Sequence, residues 1–185
     1  MVSMAMTTQI PHNLDLVIDF VNTVEYDIGS DSLATVDGAA TWLNERGLLE
    51  PGATALTSSD RQSAVALREA LRSLMLAHNG GPPDPAAAEA MEVAARRGEL
   101  AVHFEGDGAE LRPGVGGARG ALARLLVPVA EGIRDGSWTR VKACRGDGCR
   151  WAFYDRSRNR SARWCEMAVC GNRTKVRAYR ARGAR

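Results

Sequence analysis

Four cysteines, all within the last 42 residues, constrain the fold of this chain more than any other feature: Cys144-x4-Cys149-x15-Cys165-x4-Cys170. Each Cys-x4-Cys can fold back as a tight turn that offers two sulfurs to one ion, and the 15 residues between suit a hairpin that returns the second pair. Tetrahedral zinc takes four thiolates in this way. Two disulfides are the competing use, with three pairings open, and they need an oxidising compartment. Met1 to His12 carries neither a basic segment nor an apolar stretch of secretory length. Nothing later approaches the roughly 18 uninterrupted apolar residues of a membrane span. The expectation is therefore a cytoplasmic chain with no membrane partner, reduced thiols and one structural Zn2+. His12, His78 and His103 are scattered and do not compete as ligands. Four thiolates leave no open coordination position, so such a zinc holds structure and does no chemistry.

The net charge of +2 conceals an asymmetry. From Arg140 to Arg185 stand 14 Lys and Arg against Asp147, Asp155 and Glu166, a local charge of +11; the other 139 residues carry 10 basic and 19 acidic groups, or −9. A cationic tail on an acidic body points to a polyanionic partner. About 45 residues cannot bury enough surface to fold alone, and a metal would replace the missing core.

Helical signals dominate the first 135 positions. Leu14, Leu16, Val17, Ile18, Phe20, Val21 and Val24 predict a central helix, apolar on most of its circumference except for a stripe of Asp15, Asp19, Asn22 and Tyr26. Thr35 caps a second helix that stops at Gly47. Thr57 with Asp60 reads as a capping box opening an amphipathic helix with Leu67, Leu71, Leu74 and Met75 on one face. Pro85 opens an alanine-rich fourth helix to Arg97. Residues 100–104 and 109–112 then flank Glu105-Gly-Asp-Gly108 as a β-hairpin. A last helix through Leu122, Leu125, Leu126, Val129 and Ile133 carries a kink at Pro128. Asp135-Gly-Ser137 ends it and sets the expected division, 1–136 and 137–185. The glycine run at 114–120 lacks a third motif glycine, since Arg119 stands there, and lacks a Lys-Ser/Thr pair; it reads as a helix-entry loop.

In the tail, Trp151 and Phe153 share one side of a short strand, and Ala162 to Trp164 is expected to return as its partner. A helix follows from Gly171 to about Arg182, with Val176 and Tyr179 expected to pack on the tryptophans. Its dipole favours ionisation of Cys170 at its start. Arg156, Arg158 and Arg160 on the loop, Arg163 beyond it, and Arg173, Lys175, Arg177 and Arg180 on the helix form the candidate phosphate-binding rim.

Trp164-Cys165-Glu-Met-Ala-Val-Cys170-Gly171-Asn172-Arg173, preceded by Cys149-x3-Phe153-x-Asp155-x-Ser157, resembles the CGNR zinc finger. Asp19-Phe-Val-Asn-Thr23 resembles the signature of the ABATE domain usually fused to it. The resemblance implies an α+β protein: a mainly helical, sensor-like N-terminal domain with a β-hairpin, and a treble-clef-like C-terminal finger that binds DNA. It implies a stress-related transcription regulator of bacteria, with Cys144, Cys149, Cys165 and Cys170 as metal ligands. Asp19, Asn22 and Tyr26 are the candidate effector-binding residues.

Three functions remain in play. A ligand-responsive DNA-binding regulator leads. An RNA-binding protein is the alternative if Trp151, Trp164 and Tyr179 face outward to stack on bases. A protein–protein adaptor would use the rim against an acidic partner. No nucleophile–base pair, open metal site or carboxylate dyad stands out, so no catalytic residues are expected. A small finger with one short helix reads few base pairs, which makes a homodimer the expected assembly.

Overall fold

The computed structural model describes residues 10–146 and 148–183. Of the Met1–His12 segment read above, residues 1–9 lie outside them. The fold is α+β.

The first helix, α1 (Leu14–Val21), buries Leu14, Val17, Ile18, Phe20 and Val21, as its apolar circumference predicts, but it stops before Val24 and Tyr26, which the sequence reading places on it. A two-rung ladder follows, β1 (Val24–Glu25) against β2 (Ser30–Asp31), too short to leave a periodic signal. Helix α2 (Val36–Glu45) is capped by Thr35, whose Oγ1 accepts from the Gly38 N–H. The long helix α3 (Ser58–His78) opens with the full capping box: the Asp60 N–H donates to Thr57 Oγ1, and the Thr57 N–H donates to Asp60 Oδ2. Helix α4 (Pro85–Arg97) packs along α3, capped by Asp84. Strands β3 (Leu100–Glu105) and β4 (Gly108–Pro113) pair in register from Leu100 with Pro113 to Glu105 with Gly108.

The expected last helix divides in two, α5 (Gly117–Arg124) and α6 (Leu126–Asp135). The break falls at Leu125, one turn before Pro128. A proline has no N–H for the carbonyl four residues back, and its ring clashes there; that carbonyl is Arg124's.

The remaining elements depart from the sequence reading. Strand β5 (Val141–Ala143) pairs antiparallel with β6 (Ala152–Tyr154), Lys142 opposite Phe153. Residues 162–164 form no strand. The hairpin therefore encloses the first cysteine pair instead of following it. Helix α7 (Asn172–Gly183) closes the described chain.

One core runs through both halves. Val141, Ala143 and Ala152 are buried in the same cluster as α1, α3 and Leu125. Side chains stitch the seam as well. Asn22 Nδ2 donates to Ala152 O at 2.9 Å and Asn22 Oδ1 accepts from Ala152 N–H at 2.7 Å. Asn79 Nδ2 donates to Ala143 O and Arg163 O, and Arg72 Nη1 donates to Arg150 O at 2.7 Å. Val141, Ala143 and Ala152, beyond the division expected after residue 136, finish the front core, while the cysteines with Trp151, Phe153 and Trp164 form a second, smaller cluster. Cut from α1 and α3, the hairpin would expose that apolar face to water.

Candidate metal centre and cationic rim

The two knuckles bring the cysteines together. The four Sγ atoms lie within 4.8 Å of one another. Cys149 and Cys165 are 3.6 Å apart, sulfur to sulfur, and Cys165 and Cys170 3.7 Å. These are not disulfides, which need about 2.05 Å. Four sulfurs at about 2.3 Å from a tetrahedral zinc stand about 3.8 Å from each other, so the cluster fits a four-thiolate site. In the first knuckle the Gly146 N–H donates to Cys144 Sγ at 3.3 Å and the Cys149 N–H donates to Gly146 O at 3.0 Å. A Cβ on Gly146 would press on Cys149 and Cys170, each 3.3 Å away.

The thiols ionise unequally without a cation. Burial pushes Cys170 up to about 12, with Cys149 and Cys144 adding to it and the hydrogen bond with Cys165 opposing it, and burial with the charge at Cys144 raises Cys165 further. Burial also opposes ionisation of Cys144, but backbone hydrogen bonds from Cys165 and Gly146 bring it below the usual thiol value. A cluster that resists carrying four negative charges is one that a divalent cation would stabilise strongly.

The motif Cys170-Gly171-Asn172-Arg173 has a local reason at each position. Cys170 joins the cluster. A side chain on Gly171 would collide with Met167 Sδ and touch Trp164. Asn172 Nδ2 donates to Ala168 O at 3.0 Å, which ties α7 to the preceding π-turn, Met167–Gly171. Arg173 reaches across to Asp27 at 3.5 Å. Trp151, Phe153 and Trp164 pack on the cysteines.

Asp155, 1% exposed, organises the loop that follows β6. Lys142 Nζ donates to Asp155 Oδ2 at 2.7 Å, and the N–H groups of Ser157 and Ala162 donate to the same carboxylate. Burial would raise the Asp155 pKa, but these bonds hold it below the ordinary carboxylate range. Arg140 Nη1 donates to Asp155 O and Ser157 O, fixing the loop from the other side. Sequence reasoning missed Lys142 and Arg140 by counting them with the surface cations.

The side chains of Arg156, Arg158, Arg160 and Arg163 stand exposed on this loop, and those of Arg173, Lys175, Arg177 and Arg180 on α7. Arg160 approaches Thr139 Oγ1 at 3.5 Å. Val176 and Tyr179, expected on the tryptophans, are 48% and 75% exposed.

The candidate effector residues do not converge. Asp19 faces Arg46 at 3.8 Å, and Asn22 is committed to Ala152. The Tyr26 hydroxyl donates to Glu69 Oε2 at 2.9 Å, and the guanidiniums of Arg72 and Arg150 lie over its ring, 5.1 and 5.4 Å from the centre. Tyr26 does border a small cleft with Cys149, Cys165 and Cys170. Among the described residues no helix is long and apolar enough to cross a membrane.

Comparison with known families agrees with this layout. Residues 14–135 match the ABATE family model, described as "Putative stress-induced transcription regulator". Residues 140–183 match the CGNR zinc finger. No curated protein matches the chain.

Proposed function

The chain belongs to the ABATE family, whose model matches more than half its length, and on that premise we propose that it is a transcription regulator that binds duplex DNA through a zinc-held finger. Zn2+ on Cys144, Cys149, Cys165 and Cys170 supplies structure: it fixes the turn from which α7 leaves the body. One observation carries the reading. Helix α7 continues directly from the π-turn that carries Cys170 and presents Lys175 and Arg180 at the surface. A short cationic helix standing off a rigid base has the form that enters a major groove. The loop arginines Arg156, Arg158, Arg160 and Arg163 would meet flanking phosphates, which position the protein without reading sequence. Because one such helix spans few base pairs, the reading includes a homodimer on paired half-sites.

The exposed Tyr179 favours RNA as the second reading, since it can stack on an unpaired base. Trp151 and Trp164, half-buried on the cysteines, are not placed to do so. Selection of the intact protein on randomised duplex DNA and single-stranded RNA pools decides between them. Enrichment of a common duplex sequence is expected. Recovery from the RNA pool alone would refute the DNA reading.

A further inference from the structure

Between α3 and α4, and closed at one end by α5, lies a cavity of about 530 Å3. That is the size of a small-molecule site, about 300–1,000 Å3. Its lining includes Leu67, Ala90, Val93, Ala94 and Leu122, an apolar surface on which the alanines leave space that larger side chains would fill.

Two guanidiniums stand at the α5 end. Arg97 is the last residue of α4, and Arg119 lies on α5. They share that end because the chain just after Arg97 is packed on α5: a Cβ on Gly98 would lie 2.9 Å from Arg119 O. Among the described residues neither has a carboxylate partner. Arg97 Nη1 donates to the neutral Ser63 hydroxyl at 3.2 Å. Neighbouring arginines are paired, Arg96 with Glu92 and Arg124 with Glu50. Asp60 also lines the cavity, and its Oδ2 accepts from the Thr57 N–H and hydroxyl within the capping box. Glu89 stands eight residues before Arg97, about 12 Å away along the helix axis, and so marks the opposite end.

We propose that this cavity binds a small amphipathic carboxylate, its head on Arg97 and Arg119 and its apolar tail along Leu67, Ala90 and Val93. Charge-assisted bonds from two guanidiniums that have no carboxylate partner among the described residues select the anion, and the apolar wall selects the tail. Helix α3 lines the cavity and, through Arg72 and Asn79, also holds the β5–β6 hairpin. A ligand that shifts α3 would act on the element that carries the finger. The proposal names the ligand class for the sensing part of the regulator and rests on that reading only for this consequence. Its test contains no DNA, so failure of one is distinguishable from failure of the other.

The probe is octanoate, titrated calorimetrically into the zinc-loaded full chain, with 1-octanol and octylamine as controls of equal tail length. Saturable octanoate binding is expected, with both controls at least about tenfold weaker through loss of the charged head. The double variant Arg97→Ala, Arg119→Ala should bind octanoate about tenfold more weakly or worse. Both side chains are exposed, and an unchanged melting curve without ligand would show the variant folded. Absence of saturable binding up to about 10 mM octanoate, equal binding of either control, or unchanged affinity in the folded double variant would overturn the proposal.

Discussion

The arginines of α3 and those of the tail are chemically identical and used in opposite ways. Arg68 and Arg72 are 3% and 2% exposed. Arg68 grips Asp31 at 2.6 and 3.0 Å, and Arg72 donates to Glu69, Arg150 O and Val21 O. Their donors are consumed inside the protein, where an unpaired charge could not survive. Along the tail, Arg156, Arg158, Arg163 and Arg180 hold their side chains in solvent. A cation's role here follows from where its donors end. Arg72 clamps the cysteine-bearing half to the front half, Arg68 ties α3 to β2 within the front half, and the exposed set keeps its side chains in solvent.

Metal removal should have the largest effect on this contrast. Structural zinc in small fingers contributes about 10–16 kcal/mol of apparent binding energy, and metal analysis should return one zinc per chain. Chelation should strip hydrogen-exchange protection from 163–183, while β5 keeps much of its protection because it belongs to the front core. Equal loss across front and tail would show that the metal organises the whole molecule.

Arg72→Met comes next. It leaves the carbonyls of Val21 and Arg150 without this donor and takes one of three donors from Glu69, and removing one partner of a buried charged network costs about 3–5 kcal/mol. Denaturant unfolding measures it. A loss below about 1 kcal/mol would mean that the clamp is ornamental. Asn22→Ala removes both bonds to Ala152 and should cost about 1–3 kcal/mol, read in the same experiment. Unaltered stability would contradict its role as a stitch.

The pH dependence should be smaller. Burial holds the His78 pKa below the usual histidine value, against the pull of its bond to Val141 O. The unfolded chain therefore takes up this proton first, and stability should fall as pH drops below about 6.5. Asp31 and Asp155 both sit below the ordinary carboxylate value, against the opposing effect of burial. Their contribution is fully present above about pH 4 and is lost as pH falls through their folded values. Melting temperature against pH should show both stages, and His78→Gln should remove the upper one. A profile flat from pH 7 to about 5 in the parent protein would contradict the first.

Local signals in the sequence carried the furthest. Thr35, Thr57 with Asp60, and Pro85 act through bonds within a few residues, so the helix starts were readable. The cysteine spacing likewise announced a cluster without a structure. Errors arose where distant contacts decide. Val141-Lys142-Ala143 gives no strand signal because its central lysine is buried on Asp155, 13 residues away. Asn22 looked like a ligand group, yet its partner is Ala152, across 130 residues. Arg68 and Arg72 stand four and three residues apart in a line with Met75, a helical face that could have flagged them as core-facing. Val176 and Tyr179 show the converse: a helical stripe predicts packing only where a partner surface exists.

The account turns on the exposed arginines serving the polyanion while leaving the fold alone, and salt-dependent DNA affinity tests that most directly. Arg156, Arg158 and Arg180 should be changed together to alanine in the intact, zinc-loaded protein. The account predicts a log–log salt slope flatter by about 2.7, from three lost phosphate contacts, with zinc content unchanged and stability altered by no more than about 0.5 kcal/mol. A folded triple variant with the parent's affinity and slope would contradict it.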